Sequence, residues 1–109
     1  MDGLKLEEFQ KYLTVKYKEG HTSSGLFMKL VEEIGEVAEV INQLEGRKTK
    51  NNQMSLEAEL ADVLHYAVAI ASLNNIDLSK AIIEKDKIAA IKYNHSPNLK
   101  EFLEINKNI

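Results

Sequence analysis

The chain has 109 residues, one proline, five glycines, no cysteine and a net charge of −3. That length suits one small domain, 1–109, and is too short for two. The absence of cysteine excludes disulfides and thiolate metal sites, and the acidic balance argues against a nucleic-acid binder. No apolar run is long enough to span a bilayer, and the charged N-terminus MDGLKLEEFQ does not resemble a signal peptide, so a cytoplasmic setting away from membranes is expected. A domain this small buries a modest fraction of its surface, which favours oligomers.

In chain order, Leu4 to Tyr17 predicts a first helix, with Leu6, Phe9, Leu13 and Tyr17 at helical spacing and Glu7, Glu8, Lys11 and Lys16 for the wet side. Lys18 to Gly25, KEGHTSSG, is a loop by composition, and Ser23 or Ser24 can cap a second helix. That helix runs to about Leu44. Its residues Phe27, Leu30, Val31, Ile34, Val37, Ala38 and Ile41 form one wide apolar stripe, and Gly46 suits the position just past its end. The polar, basic linker from Gly46 to Ser55 reads as mobile. Ser55 caps a helix from Leu56 to Leu73, LEAELADVLHYAVAIASL, with Glu57 in its first turn. This helix is apolar nearly all round from Leu60 onward and should be buried on most sides. Asn74 and Asn75 end it. Asp77 caps DLSKAIIEKDKIAAIKYN, which offers Ala81, Ile82, Ile88, Ala89 and Ile91 to a core and stops near Asn94, ahead of Pro97. The tail from Asn98 to Ile109 predicts a short helix with Leu99, Phe102, Leu103 and Ile105 inward. Alternation of period two is absent, so the expected fold is an all-α bundle of four to five helices.

The chemistry lies in the acids. Glu59 and Asp62 sit three residues apart, on one face of the most apolar helix. An ionised carboxylate there is costly unless it is paired or bound to a metal. On the second helix Glu33 and Glu36 share one arc, while Glu32 and Glu39 turn toward solvent and read singly as a wet face. If the two helices pack antiparallel, two acidic pairs face each other. Four carboxylates so close stay ionised only around a cation, and all-oxygen ligation selects a hard one, Mg2+ first and Mn2+ second. His65, one turn past Asp62, would belong to a di-iron site only with a second Glu-x-x-His helix, so it reads as a hydrogen-bonded structural histidine. Tyr66 lies on the Glu59/Asp62 face, either hydrogen-bonding at the site or packing as a core tyrosine. His21 is a loop histidine that can touch a ligand, although loop histidines usually do nothing specific. Lys85, Lys87 and Lys92 solvate the late helix or, if one reaches the site, meet phosphate charge.

VEEIGEVAEVI (Val31 to Ile41) and EAELADVLHYAVAIA (Glu57 to Ala71) together resemble the paired signature of the MazG-like all-α nucleotide pyrophosphohydrolases, E-E-x-x-E followed by E-x-x-D. The resemblance covers much of Leu26 to Leu73. It implies conversion of a nucleoside triphosphate to the monophosphate and pyrophosphate with Mg2+, in a homodimer or homotetramer whose neighbouring subunits complete the nucleotide pocket. By position Glu33, Glu36, Glu59 and Asp62 match the metal ligands. Glu33 then holds or deprotonates the attacking water, beside the adjacent acid Glu32; attack at the α- or the β-phosphorus stays open. Tyr66 and His21 become candidate substrate contacts. A late-helix pattern of such proteins, K-x-x-x-N-x-x-R-Y-P, fits at Lys85, Lys92 and Tyr93, but Ala89 stands for its asparagine and Asn94 for its proline. Substrate contacts from that helix are therefore in doubt, and the metal site is not.

Competing readings are a phosphoribosyl-ATP pyrophosphohydrolase on the same scaffold, a helical module that binds nucleotide or a partner without hydrolysis, and a helical interaction module with no metal. The full E-E-x-x-E form leans toward the MazG-like side, with nucleotide-pool house-cleaning as the expected role.

Overall fold

Side-chain caps set most of the helix starts. The computed structural model describes residues 3–107, which form α1 (Leu6–Lys16), α2 (Ser23–Leu44), α3 (Leu56–Leu73), α4 (Leu78–Lys92) and α5 (Leu99–Asn106), with no strand among the described residues. Ser55 accepts from Ala58 N at 3.2 Å to start α3, and Asp77 accepts from Lys80 N at 3.1 Å to start α4, as the sequence predicts. Thr22, rather than Ser23 or Ser24, caps α2 by accepting from Gly25 N at 3.0 Å. Three consecutive hydroxyl residues offer caps in different registers, and the one that is extended, with Gly25 three residues ahead, wins. Asn98 and Glu101 close a capping box on α5. Gly46 stands at φ 79°, the left-handed conformation that ends α2 without a Cβ penalty. No helix among the described residues is long and apolar enough to cross a membrane.

The chain divides into two compact units, Met1–Asn75 and Ile76–Ile109. In the first, α3 packs against both α1 and α2. Leu13, Tyr17, Leu26, Val40, Val68, Ala69 and Ala71 are its buried apolar side chains. Ser72 of α3 meets α1 directly, its Oγ donating to Gln10 O at 3.1 Å. In the second unit Asp86 Oδ2 accepts from Leu99 N at 2.6 Å and ties the start of α5 to α4.

The linker after α2, read from composition as a mobile loop, holds hydrogen bonds of its own, and two further expectations need correction. Gln43 is buried, and its Oε1 accepts from Asn51 N at 2.8 Å, while Lys48 Nζ meets Glu39 Oε2 at 2.5 Å and Asn51 Oδ1 accepts from Gln53 N at 2.9 Å. A buried amide with a backbone partner organises a segment that composition alone marks as loop. The stripe on α2 is also only partly core. Leu26, Leu30, Val37 and Val40 turn inward, whereas Phe27, Val31, Ile34 and Ile41 are exposed; on α3 Leu60 and Leu64 are half exposed, so the expected burial on most sides holds only from His65 to Leu73, where no residue is exposed. Finally, Ile82, Ile88 and Ile91 on α4, and Phe102, Leu103 and Ile105 on α5, are exposed, and no residue of either helix is buried. A period of 3.6 cannot distinguish a face that packs within one chain from a face left for another.

Candidate functional site

Helices α2 and α3 run antiparallel, and their register brings the acids together. Asn74 Nδ2 donates to Ser23 Oγ at 2.9 Å at one end, and Gln43 Nε2 lies 3.7 Å from Met54 Sδ at the other. Between these ends Glu33, Glu59 and Asp62 each place one carboxylate oxygen so that all three lie within 4.8 Å of one another. Glu36 reaches the carboxyls of Glu59 and Glu33 within hydrogen-bonding range, while its own side chain remains largely exposed. The i,i+3 spacing on each helix is what sets two acids side by side.

This cluster is electrostatically unbalanced. Glu59 is only 9 % exposed. Glu33 Oε2 and Glu59 Oε2 are closed to water and have no donor to accept from. The basic partners on α2 go to its outer acids instead, Lys29 to Glu32 at 3.3 Å and Lys48 to Glu39. The Glu59 carboxyl is consequently pushed up to about 7, first by its bond to Glu36, then by burial and by the charges of Glu36 and Glu33. Burial, followed by the charges of Glu36 and Asp62, raises Glu33. Carboxylates this close cannot all ionise without a cation among them.

The crowding makes stability depend on pH. In metal-free protein the folded state keeps a proton on Glu59 that the unfolded chain releases near the ordinary value of 4.5. The contribution of Glu59 to stability is therefore largest at low pH and falls as pH rises from about 4.5 through about 7. His65 acts in the opposite direction, since burial, and then Lys16, lower its pKa and favour the neutral ring. Denaturant midpoints of wild type and Glu59→Gln in EDTA, from pH 5 to 8, separate the two: the wild-type advantage over the variant is expected to shrink as pH rises. An advantage that grows with pH would show that Glu59 is not held protonated.

One turn along the same pair of helices lies a hollow of about 390 Å³. Lys29, four residues before Glu33, and Tyr66, four after Asp62, border it, together with Tyr17, His21 and Thr22. Tyr17 Oη lies 2.7 Å from His65 Nε2. The rings of Phe9, Tyr17 and Tyr66 pack edge-on around the imidazole, with centroids 6.1, 5.7 and 5.0 Å away.

The family model of the MazG nucleotide pyrophosphohydrolase domain matches residues 21–100, a span that holds every acid of the cluster. The chain belongs to the MazG family. It is thus a hydrolase of nucleotide anhydride bonds. Among curated proteins it is 35 % identical over 78 residues to YpjD of Bacillus subtilis, covering 68 % of this chain and 69 % of that one. It is 31 % identical over 83 residues to dCTP pyrophosphatase 1 of Homo sapiens, covering 71 % of this chain but only 49 % of that longer protein. Among solved structures, iMazG from Vibrio DAT 722 superposes with a TM-score of 0.63 at 30 % identity, over 84 % of this chain and all of that one. The YPJD structure from Bacillus subtilis gives 0.67 at 29 %, over 88 % of this chain and 99 % of that one.

Within this MazG chain the acids expected as ligands divide three and one: Glu33, Glu59 and Asp62 converge, and Glu36 adjoins them. Glu32 stands apart, 62 % exposed and paired with Lys29. His21 and Tyr66 border the hollow. Lys85, Lys92 and Tyr93 belong to the second unit, where all three are exposed and Lys92 Nζ sits 5.3 Å above the Tyr93 ring. Sequence reading misses Lys29 and Tyr17. Lys29 is discoverable, because it stands one helical turn before Glu33 on the same face. Tyr17 is not, because its partner His65 is 48 residues away.

Proposed function

We propose that this MazG-family chain is a Mg2+-dependent hydrolase that converts a nucleoside triphosphate to the monophosphate and pyrophosphate, in the service of nucleotide-pool house-cleaning. The observation that supports it best is the pair of buried, donorless carboxylate oxygens on Glu33 and Glu59, set beside Asp62 and with no basic side chain paired to them among the described residues. A hard divalent cation fits this all-oxygen donor set, with Glu33, Glu36, Glu59 and Asp62 as its holders and Mn2+ as the natural substitute. When bound, such an ion neutralises phosphate charge and polarises the phosphorus under attack.

The remaining work falls to the chain. Glu33, whose carboxylate burial makes a better base than a solvated one, holds the attacking water and accepts its proton. The water oxygen bonds to phosphorus as the bridging P–O bond breaks, and the leaving phosphate carries away the electron pair. Glu32 keeps Lys29 at the border between the acids and the hollow, where its ammonium meets phosphate charge. Tyr66 and His21 line the space for the nucleoside, whose volume lies within the usual range for small-ligand sites. Lys85, Lys92 and Tyr93 are assigned to substrate by the late-helix pattern alone. We take the chain as one domain, since the matched region 21–100 runs from the first compact unit into the second. A second copy is the proposed cover for the apolar faces of α2 and α3, as a homodimer or homotetramer. The proposed setting is the cytoplasm.

The test is pyrophosphate release from a panel of canonical and modified triphosphates, dCTP included. Release from at least one with Mg2+ or Mn2+, and none in EDTA, is expected. Release from none removes the proposal.

A further inference from the structure

We propose that Lys48, on the linker between α2 and α3, holds the pyrophosphate end of the triphosphate, on the side of the acids away from the hollow. This rests on the triphosphate reading above and adds to it the group that receives the leaving phosphates.

The need comes from charge. Four carboxylates and a triphosphate are all anionic, and their combined charge exceeds what one divalent ion offsets. The helices that carry the acids add little. Lys29 is the one lysine or arginine on α2, and α3 has neither. Lys29 stands one turn before Glu33 and borders the hollow, so it serves the nucleoside end. A cation for the far phosphates has to come from outside both helices. Lys85 and Lys92 on α4 are one source, but the pattern that names them is broken at Ala89 and Asn94. The linker is the other.

The linker brings Lys48 back to α2. Glu39 stands three residues past Glu36, and Lys48 Nζ lies 2.5 Å from its Oε2. Glu32, which holds Lys29 at 3.3 Å, and Glu39 are seven residues apart. They turn to nearly the same side of α2, about 10 Å apart along its axis at 1.5 Å per residue. The two tethered ammonium groups therefore bracket the turns that carry Glu33 and Glu36. Glu39 is held from a second direction too. Its Oε1 accepts from Gln43 Nε2 at 3.4 Å, and buried Gln43 in turn accepts from Asn51 N at 2.8 Å. Arg47 is engaged at the end of α2, 3.0 Å from Asn42 Oδ1 and 2.6 Å from Glu45 Oε1. Lys48 is free to take a ligand. An ammonium has three hydrogens, so one can stay on Glu39 while another meets a phosphate oxygen. The Lys48 side chain is 54 % exposed, and an exposed ion pair contributes too little to prevent that exchange. Its long stem gives it reach along α2.

The test is calorimetric titration of pyrophosphate, with Mg2+ in excess, into wild type, Lys48→Met, Lys48→Arg, Lys50→Met and Lys92→Met. Lys48→Met keeps the stem and removes the charge. It is expected to raise the Kd for pyrophosphate by about tenfold, the size of one lost charge-assisted hydrogen bond. Lys48→Arg keeps the charge and should keep most of the affinity. Lys50→Met, two residues along the same linker, should bind as wild type does. A lysine that merely ties the linker to Glu39 would lower the urea midpoint when replaced and leave the pyrophosphate Kd where it was. Unchanged affinity in Lys48→Met, an equal loss in Lys50→Met, or no uptake by wild type overturns the proposal. If Lys92→Met weakens pyrophosphate and Lys48→Met does not, the far phosphates belong to α4 and the proposal falls. The titration needs no turnover, so failure of the enzyme reading shows separately, as no pyrophosphate release from any triphosphate.

Discussion

Asp62→Asn is expected to lower turnover by more than about a hundredfold, since losing even an outer partner of a metal ligand costs 10–100-fold. The same substitution should leave the helices intact. Asp62 is exposed, and its carboxylate has no hydrogen-bond or ion-pair partner among the described residues. Replacing it removes a negative charge that raises Glu33, so the metal-free variant should be at least as stable as wild type. Loss of activity together with gain of stability is the signature of a site that maintains repulsion for the sake of a ligand. Triphosphate turnover and urea midpoints in EDTA, measured on both proteins, test it. A variant that turns over normally removes Asp62 from the site, and one that melts well below wild type makes Asp62 a structural residue instead.

The second large effect concerns assembly. Ile34 on α2 is 51 % exposed and Leu64 on α3 is 54 % exposed, and Phe27, Val31, Ile41, Leu44 and Leu60 are also open. Contiguous apolar surface of this kind on a small domain marks an interaction face. If second copies cover it, wild type has a mass of two or four times 12.3 kDa by light scattering, and Ile34→Arg/Leu64→Arg reduces it to one. In a symmetric contact each substitution acts twice, burying unpaired charge on both sides. Helical content by circular dichroism should be retained, because both positions are exposed within the chain. A wild-type monomer would remove the proposed assembly, and a double variant that remains assembled would place the contact elsewhere.

The parts legible in the sequence are those governed by local rules. Helix α3 begins and ends where its cap and its asparagines put it, and the i,i+3 acids on α2 and α3 announce a cluster of carboxylates without any knowledge of register. The parts that are not legible depend on partners far along the chain. Gln43 reads as an ordinary polar residue at a helix end, yet it organises the linker after α2 through Asn51. Phe27 and Leu26 are adjacent and equally apolar, and only the packing of α3 decides that Leu26 is buried and Phe27 is not. Glu36 reads as inward as Glu33; in the folded chain it is the exposed member, and it acts on Glu59 from the rim. The Tyr17–His65 pair has no sequence signal, since neither spacing nor composition links the end of α1 to the middle of α3.

The most direct measurement is a titration of Mn2+ into metal-free protein, followed by electron paramagnetic resonance, for wild type and Asp62→Asn. Saturable uptake by wild type, displaced by Mg2+ and lost in Asp62→Asn, is the predicted result. Equal uptake by both proteins, or none by wild type, would contradict the claim that Glu33, Glu59 and Asp62 converge in order to hold a divalent ion.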